Sequence, residues 1–391
     1  MRVGPEMTPS KSGVVPGPRK PRSPGPGSTP AIFRERSGWT PAAAVIKGPP
    51  GFMTNSPPEP ETGSDALALV PEALRGAIEA RGYTSLTPVQ QAVLAAEPGR
   101  DLRVSSQTGS GKTVAFGLVI GRTLPTLPPA TKKGPRVLVM APTRELAQQV
   151  RHELAWLLAP LNLRVLSVTG GTSVRGDLVA LRQGAEVVVG TPGRLADHVR
   201  SGAVVCDDVA MVILDEADEM LDMGFADELA AVLDKVPSER SMHLVSATFA
   251  SAVMALANRY QRNPQAIMGT PPGDANADID HVIHYVARDE RLDALVNLLL
   301  LAPAEPTLIF TRTREGAAEL VRLLREMDLG ALLLTGDLDQ QERQRTLESF
   351  RAGRVRVLVA TDVAARGLDV PGITRVIHTD PPEDPDAYTH R

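Results

Sequence analysis

The sequence contains little cysteine, few aromatic side chains and no long apolar run. Cys206 is the single cysteine among 391 residues, which excludes an internal disulfide and any cysteine-based zinc site. Aromatic residues make up 3% of the chain, so stacking on aromatic rings is not expected to dominate nucleic-acid binding. No apolar stretch is long enough to cross a bilayer or to resemble a signal peptide, and we therefore expect a cytoplasmic protein.

Charge is spread unevenly along the chain, whose net charge is −4. The first 50 residues contain eight lysines and arginines against Glu6 and Glu35, so the remainder is more acidic than the average suggests. The field of that remainder repels polyanions. Any nucleic acid would have to be held by a few local cations and by backbone amides.

Residues 1–62 are rich in proline, glycine, serine and threonine and show no apolar periodicity. Such a segment cannot bury enough surface to offset its ordering entropy, so we predict that it is disordered. Three interpretations stay open: a basic tether for RNA, a passive tail, and a start codon assigned too early, with Met53 as the true first residue.

From residue 63 to residue 268, short apolar runs alternate with helical patterns. Continuous apolar runs are typical of strands buried on both faces, so they predict a parallel sheet with helices on either side. The predicted strands are 101–106, 137–141, 165–169, 187–191, 211–215 and 243–246. Residues 269–278 have the proline and glycine content of a linker. A second series follows over 279–391, with predicted strands at 281–286, 307–311, 331–335, 355–360 and 375–378.

The strand at 101–106 runs into a glycine-rich loop and then a helical pattern, which is the context of a phosphate-binding loop. Backbone N–H groups beside its glycines can surround phosphate oxygens, and the helix N-terminus adds the positive end of its dipole. Lys112 is expected to face the β- and γ-phosphates, and the Thr113 hydroxyl to reach Mg²⁺. The predicted ATP ligands in this loop are Thr108, Gly109, Ser110, Gly111, Lys112 and Thr113.

A second apolar strand, at 211–215, ends in the carboxylates of Asp215 and Glu216. Phosphate-loop enzymes hold Mg²⁺ with an aspartate at such a strand end, so Asp215 is the predicted metal ligand together with Thr113. Glu216 is predicted to orient and deprotonate the attacking water. Glu216, Asp215 and Lys112 are thus the predicted catalytic residues, and ATP and Mg²⁺ the predicted cofactors.

The four residues 215–218 read D-E-A-D, and around them the chain resembles the DEAD-box ATP-dependent RNA helicases of superfamily 2, in their bacterial form. The resemblance covers roughly residues 65–391. It implies two RecA-like parallel-sheet domains in tandem, the second incomplete, which close on RNA in an ATP-driven cycle and unwind short duplexes. It also implies that Gln90 pairs with adenine N6 and N7, as an amide can, and that Asp369 faces the ATP ribose.

Further motifs resemble segments with which this family contacts RNA. They are A-P-T-R-E-L-A at 141–147, Gly170-Gly171, T-P-G-R at 191–194, Q-Q-E-R at 340–343 and A-T-D at 360–362. Small hydroxyls, glycine amides and arginines suit a sugar-phosphate backbone and read few bases. The residues implied to contact RNA are Thr143, Arg144, Gly170, Gly171, Thr191, Arg194, Gln340, Arg343 and Thr361. Ser246 and Thr248, in S-A-T, resemble the motif that couples hydrolysis to strand separation.

The end of the chain departs from the family pattern. The last family motif reads H-R-x-G-R-x-x-R after a tyrosine, whereas this sequence stops at Tyr388-Thr389-His390-Arg391. The two later arginines, which resemble arginine fingers, are not in it. We expect either a fragment of a longer product or a truncated protein with impaired hydrolysis, and we favour the fragment.

Two other functions stay open. One is an ATP-gated RNA clamp with little turnover, which single-turnover ATP cleavage would separate from a helicase. The other is a DNA-acting translocase on the same fold, against which Gln90 and the D-E-A-D residues argue. We expect RNA as the partner, no membrane, and a monomer.

Overall fold

The computed structural model describes residues 43–45, 67–105, 110–127, 134–268, 279–365, 370, 372–382 and 388. Thr108, Gly109 and Asp369 of the predicted ATP site lie outside these residues, as does the predicted linker at 269–278. The segment predicted to be disordered, 1–62, also lies outside them, except for strand β1 (Ala43–Val45). At these three residues the structure shows a strand where the sequence predicted disorder.

The first α/β domain is built on a seven-stranded parallel sheet. In chain order its elements are α1 (Glu72–Ala80), α2 (Pro88–Ala95), β2 (Leu102–Ser105), α3 (Lys112–Thr123), β3 (Val137–Met140), α4 (Arg144–Leu158), β4 (Val165–Val168), α5 (Val174–Arg182), β5 (Val187–Gly190), α6 (Pro192–Arg200), β6 (Met211–Leu214), α7 (Ala217–Asp222), α8 (Ala226–Leu233), β7 (Ser241–Ser246), α9 (Ser251–Tyr260) and β8 (Gln265–Met268). Its strand order is β4-β5-β3-β6-β7-β2-β8.

The central strands of this sheet are covered on both faces. Every residue of β3, β5 and β6 is buried. Along β3, Val137 and Val139 belong to one apolar cluster, while Leu138 and Met140 belong to another. Successive side chains of a strand point to opposite faces, so the two clusters lie on the two sides of the sheet. The continuous apolar runs therefore predicted this sheet correctly.

The sequence missed strand β8, at the edge of the sheet. Its residues Gln265 and Met268 are only partly buried or exposed, and Ile267 is the buried one. This edge strand has one neighbour and a partly solvated surface, and it begins with a polar residue, so it does not show the continuous apolar run that marks a central strand.

The second α/β domain contains a four-stranded parallel sheet of order β11-β12-β10-β13. The remaining elements of the chain are β9 (Val282–His284), α10 (Arg291–Leu301), β10 (Thr307–Thr311), α11 (Arg314–Glu326), β11 (Ala331–Leu334), α12 (Gln340–Arg351), β12 (Val357–Thr361), α13 (Asp362–Ala365) and β13 (Arg375–His378). Both parallel sheets confirm the predicted fold class of two parallel-sheet α/β domains.

The prediction that 281–286 opens the second parallel sheet is wrong. Strand β9 pairs antiparallel with β1, in the register Ala43–His284 and Val45–Val282. These two strands belong to a small unit of their own. Val282 and Ile283 are 46% and 45% exposed, unlike the buried side chains of a central parallel strand. None of the described helices has the length and apolar composition needed to cross a membrane.

The order of the strands divides the predicted motifs into two groups. Apart from the Gln90 segment on α2, the motifs of the first domain follow the carboxyl ends of parallel strands, which lie along one edge of the sheet. The phosphate loop, the D-E-A-D residues and S-A-T follow β2, β6 and β7, which are neighbours. The three RNA motifs of the first domain follow β3, β4 and β5, which are also neighbours. We refer to these as the ATP half and the RNA half of the edge.

Candidate functional site

Helix α2 ties the predicted adenine-binding segment to the phosphate loop. Thr87 caps the helix, and its backbone N–H donates to Oε1 of Gln90 at 2.9 Å. Nε2 of Gln90 donates to the carbonyl of Gly111 at 3.2 Å, and the Thr87 hydroxyl donates to the carbonyl of Ser110 at 3.0 Å. Gln90 is fully buried. Its amide thus positions the loop, and its contact with adenine stays a prediction.

Gly111 is required at its position for two separate reasons. Its φ of 84° lies in the left-handed region, which side chains other than glycine adopt at a cost. A Cβ there would also stand 2.5 Å from Nε2 of Gln90. The next residue, Lys112, begins α3 and is buried, and Thr113 follows in the first helical turn. The loop therefore presents Lys112 and Thr113 from a rigid helix end.

Two buried carboxylates stand at the end of β6. Asp215 is 3% exposed, and its Oδ1 has no hydrogen-bond partner among the described residues. Burial raises the pKa of Asp215, while the positive charge of Lys112 opposes the rise. Burial, and then the charge of Asp215, raise the pKa of Glu216 to about 8, again against the effect of Lys112. The Lys112 ammonium group therefore acts on both carboxylates.

Glu216 also has an unusual backbone. Its φ and ψ are 56° and 58°, a left-handed conformation that a residue with a Cβ adopts at a cost of order 1 kcal/mol. Strain of this kind persists only where the surroundings hold the residue in place. Here the buried strand β6 precedes it and α7 follows at once.

The donors at this position fit a magnesium ion. A buried carboxylate oxygen without a partner is costly unless a ligand completes it. Mg²⁺ takes oxygen ligands and is usually held by one or two carboxylates together with substrate phosphates. No group of three or more His, Cys, Asp or Glu side chains that could hold a metal occurs in the described part of the chain. The unpartnered oxygen of Asp215 thus suits an ion that phosphate oxygens complete, and Thr113 remains its predicted second protein ligand.

Asp218 links the D-E-A-D residues to S-A-T. Its Oδ2 accepts from the backbone N–H of Thr248 at 2.9 Å and from the Thr248 hydroxyl at 3.1 Å. The Asp218 N–H donates to Oγ of Ser246 at 3.3 Å, and that hydroxyl donates to the carbonyl of Thr248 at 2.5 Å. Ser246 and Thr248 therefore contact the D-E-A-D residues directly. The contact is made by Asp218, a residue to which the sequence analysis assigned no role.

On the RNA half, Arg144 supports the glycine pair. Its guanidinium lies against Gly170 and Gly171, and a Cβ on Gly171, whose φ is 74°, would collide with it. Nη1 of Arg144 donates to Oε1 of Gln340 at 2.9 Å. Thr143 caps α4, its hydroxyl accepting from the N–H of Leu146 at 3.2 Å. Neither side chain extends freely into solvent.

Arg194 is also engaged with protein groups. Its Nη1 lies 2.7 Å from Oδ2 of Asp177, and its Nη2 donates to the carbonyl of Thr172 at 3.0 Å. Nε2 of His198 lies 3.0 Å from the same Asp177 oxygen. Thr191, at the start of α6, accepts from the N–H of Gly170 at 3.4 Å. The sequence assigned no role to Asp177, which lies on α5, six residues after Gly171 and outside the recognised motifs.

Arg343 of the second domain contacts the first domain. Its Nε lies 2.7 Å from Oε1 of Glu145, and its Nη2 donates to the carbonyl of Ala364 at 2.9 Å. Nε2 of Gln340 donates to the same Glu145 oxygen at 3.4 Å. These bonds join the first turn of α12 to the first turn of α4. Thr361, at the end of β12, is buried.

Comparison with known proteins identifies the family. Residues 87–256 match the family model described as DEAD/DEAH box helicase, and residues 290–391 match Helicase conserved C-terminal domain. The chain is 38% identical over 326 residues to "DEAD-box ATP-dependent RNA helicase CshA" of Geobacillus kaustophilus, covering 83% of this chain and 69% of that protein. The chain belongs to the DEAD-box helicase family.

Other relatives and a solved structure agree. The chain is 41% identical over 332 residues to "DEAD-box ATP-dependent RNA helicase 3A, chloroplastic" of Zea mays, covering 82% of this chain and 44% of that protein. It thus spans less than half the length of the maize relative. "S. cerevisiae Dbp5 bound to RNA and ADP BeF3" is 29% identical, with a TM-score of 0.71, and the match covers 84% of this chain and 85% of that one.

In this DEAD-box protein the structure brings the predicted residues together in three places. Gln90, Ser110, Gly111, Lys112, Thr113, Asp215 and Glu216 gather on the ATP half. Thr143, Arg144, Gly170, Gly171, Thr191 and Arg194 gather on the RNA half. Gln340 and Arg343 meet the RNA half through Arg144 and Glu145. The described contacts do not link Thr361 directly to either group.

Proposed function

We propose that the protein is a cytoplasmic, monomeric, ATP-dependent RNA helicase that unwinds short RNA duplexes. Two domains, at 63–268 and 279–391, would close around the RNA backbone when ATP binds. The observation that carries this proposal is a buried carboxylate oxygen of Asp215 without a described partner on the ATP half, together with side-chain bonds that join the two domains beside the RNA half. Family membership and the RNA-bound likeness support the choice of RNA.

The residues of the ATP half are proposed to have separate roles in nucleotide binding and hydrolysis. Lys112 faces the β- and γ-phosphates, Gln90 and Thr87 hold the loop that receives them, and Gln90 and Asp369 are the proposed contacts with adenine and ribose. Asp215 and Thr113 would hold Mg²⁺, which when bound supplies positive charge to the phosphate oxygens. Glu216 is proposed to accept the proton of the attacking water, a role for which its position next to Asp215 and its fixed backbone suit it.

Asp218 is proposed to couple ATP hydrolysis to a movement of the S-A-T residues, and through them to the RNA. Its carboxylate is bonded to Thr248, and its backbone is bonded to Ser246. Asp218 lies two residues after Glu216, so a shift of the D-E-A-D segment on cleavage would move both partners in S-A-T. Ser246 and Thr248 are therefore proposed as coupling residues.

For the RNA, the groups on the RNA half suit a sugar-phosphate path. Gly170, Gly171 and Thr191, with Thr361 from the second domain, offer amides and hydroxyls that do not distinguish bases. The folded part is acidic and its three predicted RNA-binding arginines already have protein partners. We therefore propose low sequence preference and a modest dependence of affinity on salt.

Closure of the domains is supported by the bonds between α4 and α12. The side chains of Glu145 and Arg343 are 18% and 12% exposed, so this ion pair is well shielded from water. Arg144 and Gln340 lie beside it. Because Arg144 also supports Gly170 and Gly171, the same bonds would fix the RNA path when the domains meet.

The test is ATP hydrolysis with and without single-stranded RNA, alongside DNA of the same sequence, followed by unwinding of a short RNA duplex. We expect RNA but not DNA to raise the rate, and unwinding to require ATP. Equal stimulation by DNA would contradict the choice of RNA. Tight ATP-dependent RNA binding without cleavage in a single turnover would instead indicate an ATP-gated clamp.

A further inference from the structure

Helix α5 is attached to the domain in an unusual way. Of its nine residues, all of which the structure describes, Asp177 is the buried one, with 8% of its surface exposed. Helices on a sheet normally bury apolar side chains. A helix whose buried side chain is a carboxylate depends on that carboxylate having good partners, because an unpaired buried charge is strongly destabilising.

The partners of Asp177 all come from the RNA half. Its Oδ2 lies 2.7 Å from Nη1 of Arg194 and 3.0 Å from Nε2 of His198. Its Oδ1 lies 3.4 Å from the Thr172 hydroxyl, whose shorter bond, at 2.7 Å, is to the carbonyl of Thr169. Arg194 in turn donates to the Thr172 carbonyl at 3.0 Å. Asp177 and Arg194 therefore both hold Thr172, the residue that follows the glycine pair.

The loop at 170–172 is thus held from two sides. On one side the Arg144 guanidinium lies against Gly170 and Gly171. On the other side the pair of Asp177 and Arg194 holds Thr172. Only 11% of the Arg194 side chain is exposed, and its charge is balanced by a carboxylate at contact distance. A phosphate approaching this loop would meet a neutral pair rather than a free cation.

We infer that Asp177 is a positioning residue of the RNA site, which neutralises Arg194 and with it fixes the loop at 170–172 for RNA. Arg194 then acts on RNA through the shape of the loop and adds no phosphate-neutralising charge. This inference rests on the proposed function, because it requires that the RNA backbone passes over this loop.

The salt dependence of RNA affinity separates a positioning arginine from a phosphate-binding one. Each phosphate that a protein cation neutralises on a single strand adds about 0.7 to the slope of log affinity against log salt. A residue that only supports the fold changes affinity or stability without changing this slope. The slope therefore reports whether the charge of Arg194 reaches a phosphate.

The experiment measures the affinity of a fluorescent single-stranded RNA, with a non-hydrolysable ATP analogue, across a series of KCl concentrations. The proteins are the wild type, Arg194→Gln, Asp177→Asn and the double variant. Arg200→Gln is the matched control, since Arg200 lies on the same helix in an exposed pair with Asp197. Nucleotide binding by each protein checks that it is folded.

We expect Arg194→Gln to weaken RNA binding roughly tenfold, the effect of losing a charged hydrogen-bond network, with the wild-type slope unchanged. Asp177→Asn should steepen the slope by about 0.7, because it releases the charge of Arg194. The double variant should return to the wild-type slope, and Arg200→Gln should match the wild type in both quantities.

A slope that becomes flatter by about 0.7 in Arg194→Gln would overturn the inference, because Arg194 would then neutralise a phosphate. An unchanged slope in folded Asp177→Asn would overturn it as well. If Asp177→Asn does not fold, Arg194→Gln alone decides. Failure of the wild type to bind RNA would instead overturn the proposed function, which distinguishes the two failures.

Discussion

The two halves of the first domain's sheet edge differ in whether their buried charged groups have partners within the protein. On the ATP half, Oδ1 of Asp215 has no partner among the described residues, and Glu216 combines a left-handed backbone with a pKa raised to about 8. On the RNA half, Arg144 and Arg194 are bonded to protein groups, and the buried carboxylate of Asp177 contacts both an arginine and a histidine.

This difference indicates which kind of ligand each half can bind. An incomplete, strained site is costly in the free protein and becomes favourable when a ligand supplies the missing charge or coordination. A site whose charges are already paired has no missing charge for a ligand to supply, and it recognises the ligand through the shape of its backbone. The ATP half therefore suits a metal-bound nucleotide, and the RNA half suits recognition of a backbone path.

The largest expected effect concerns Glu216. Glu216→Gln keeps the size of the side chain and removes the proton acceptor, so single-turnover ATP cleavage should fall about a thousandfold, within the range for loss of a general base. ATP and RNA affinities should stay within about twofold of the wild type, since the base acts in the transition state. Glu239→Gln, at an exposed pair with Arg262, is the control. Parent-rate cleavage by Glu216→Gln would exclude it as the base.

The next effect concerns nucleotide affinity. Lys112→Ala removes the ammonium group that acts on the buried carboxylates and is proposed to face the phosphates, so the Kd for ATP measured by calorimetry should rise about a hundredfold. The matched control is Lys235→Ala, at an exposed position of the same domain. Unchanged affinity in Lys112→Ala would contradict the assignment of the phosphate loop and remove the basis of the comparison.

His243 offers a buried polar group away from either ligand. Both ring nitrogens are without a partner among the described residues, and burial lowers its pKa to about 4. The unfolded chain therefore takes up the proton first as pH falls from about 6.5 to 4, and the free energy of unfolding decreases over that window. Between pH 7 and pH 5 we expect a loss of about 2 kcal/mol.

The measurement for His243 is urea unfolding of the wild type and His243→Leu at both pH values. The variant should lack the pH dependence that His243 contributes. The difference in the free energy of unfolding between the two proteins should therefore change by about 2 kcal/mol from pH 7 to pH 5. An equal pH dependence in both proteins would mean that His243 takes up its proton without unfolding.

A smaller effect is expected at the bonds between the domains. A double-mutant cycle with Glu145→Gln and Arg343→Gln should show a coupling of roughly tenfold in the KM for RNA, because the pair is shielded and joins two elements that RNA must meet together. The exposed pair of Asp234 and Arg259 in the first domain is the control cycle and should show no coupling. Additive effects at Glu145 and Arg343 would remove this support for closure.

Much of the fold and part of the site could be predicted from the sequence. The central strands were visible because burial on both faces produces unbroken apolar runs, as in β3 and β6. Strand β8 was not visible because its partly exposed residues interrupt the apolar pattern, and the pairing of β9 with β1 was not, because pairing between distant segments is not encoded in local spacing. The proximity of Lys112 to Asp215 could be predicted, because the loop after β2 and the residues after β6 lie at the same edge of the sheet.

The partners of the RNA-half arginines could not be predicted from the sequence. Arg144, Arg194 and Arg343 lie in recognisable motifs, and their residue type suggests phosphate contacts. Their actual partners lie on a helix that follows a neighbouring strand, as Asp177 does for Arg194, or in the other domain, as Glu145 does for Arg343. Contacts of this kind depend on strand order, which a linear motif does not contain.

The most direct test of the comparison is the free energy of urea unfolding at pH 7, without nucleotide, for Asp215→Asn and Asp177→Asn. Each change replaces a buried carboxyl group with an amide of nearly the same shape. Asp215→Asn should stabilise the protein by about 1 kcal/mol, because it removes an incompletely paired charge. Asp177→Asn should destabilise it by at least about 1 kcal/mol, because Arg194 loses its partner. Shifts of the same sign in both variants would contradict the account.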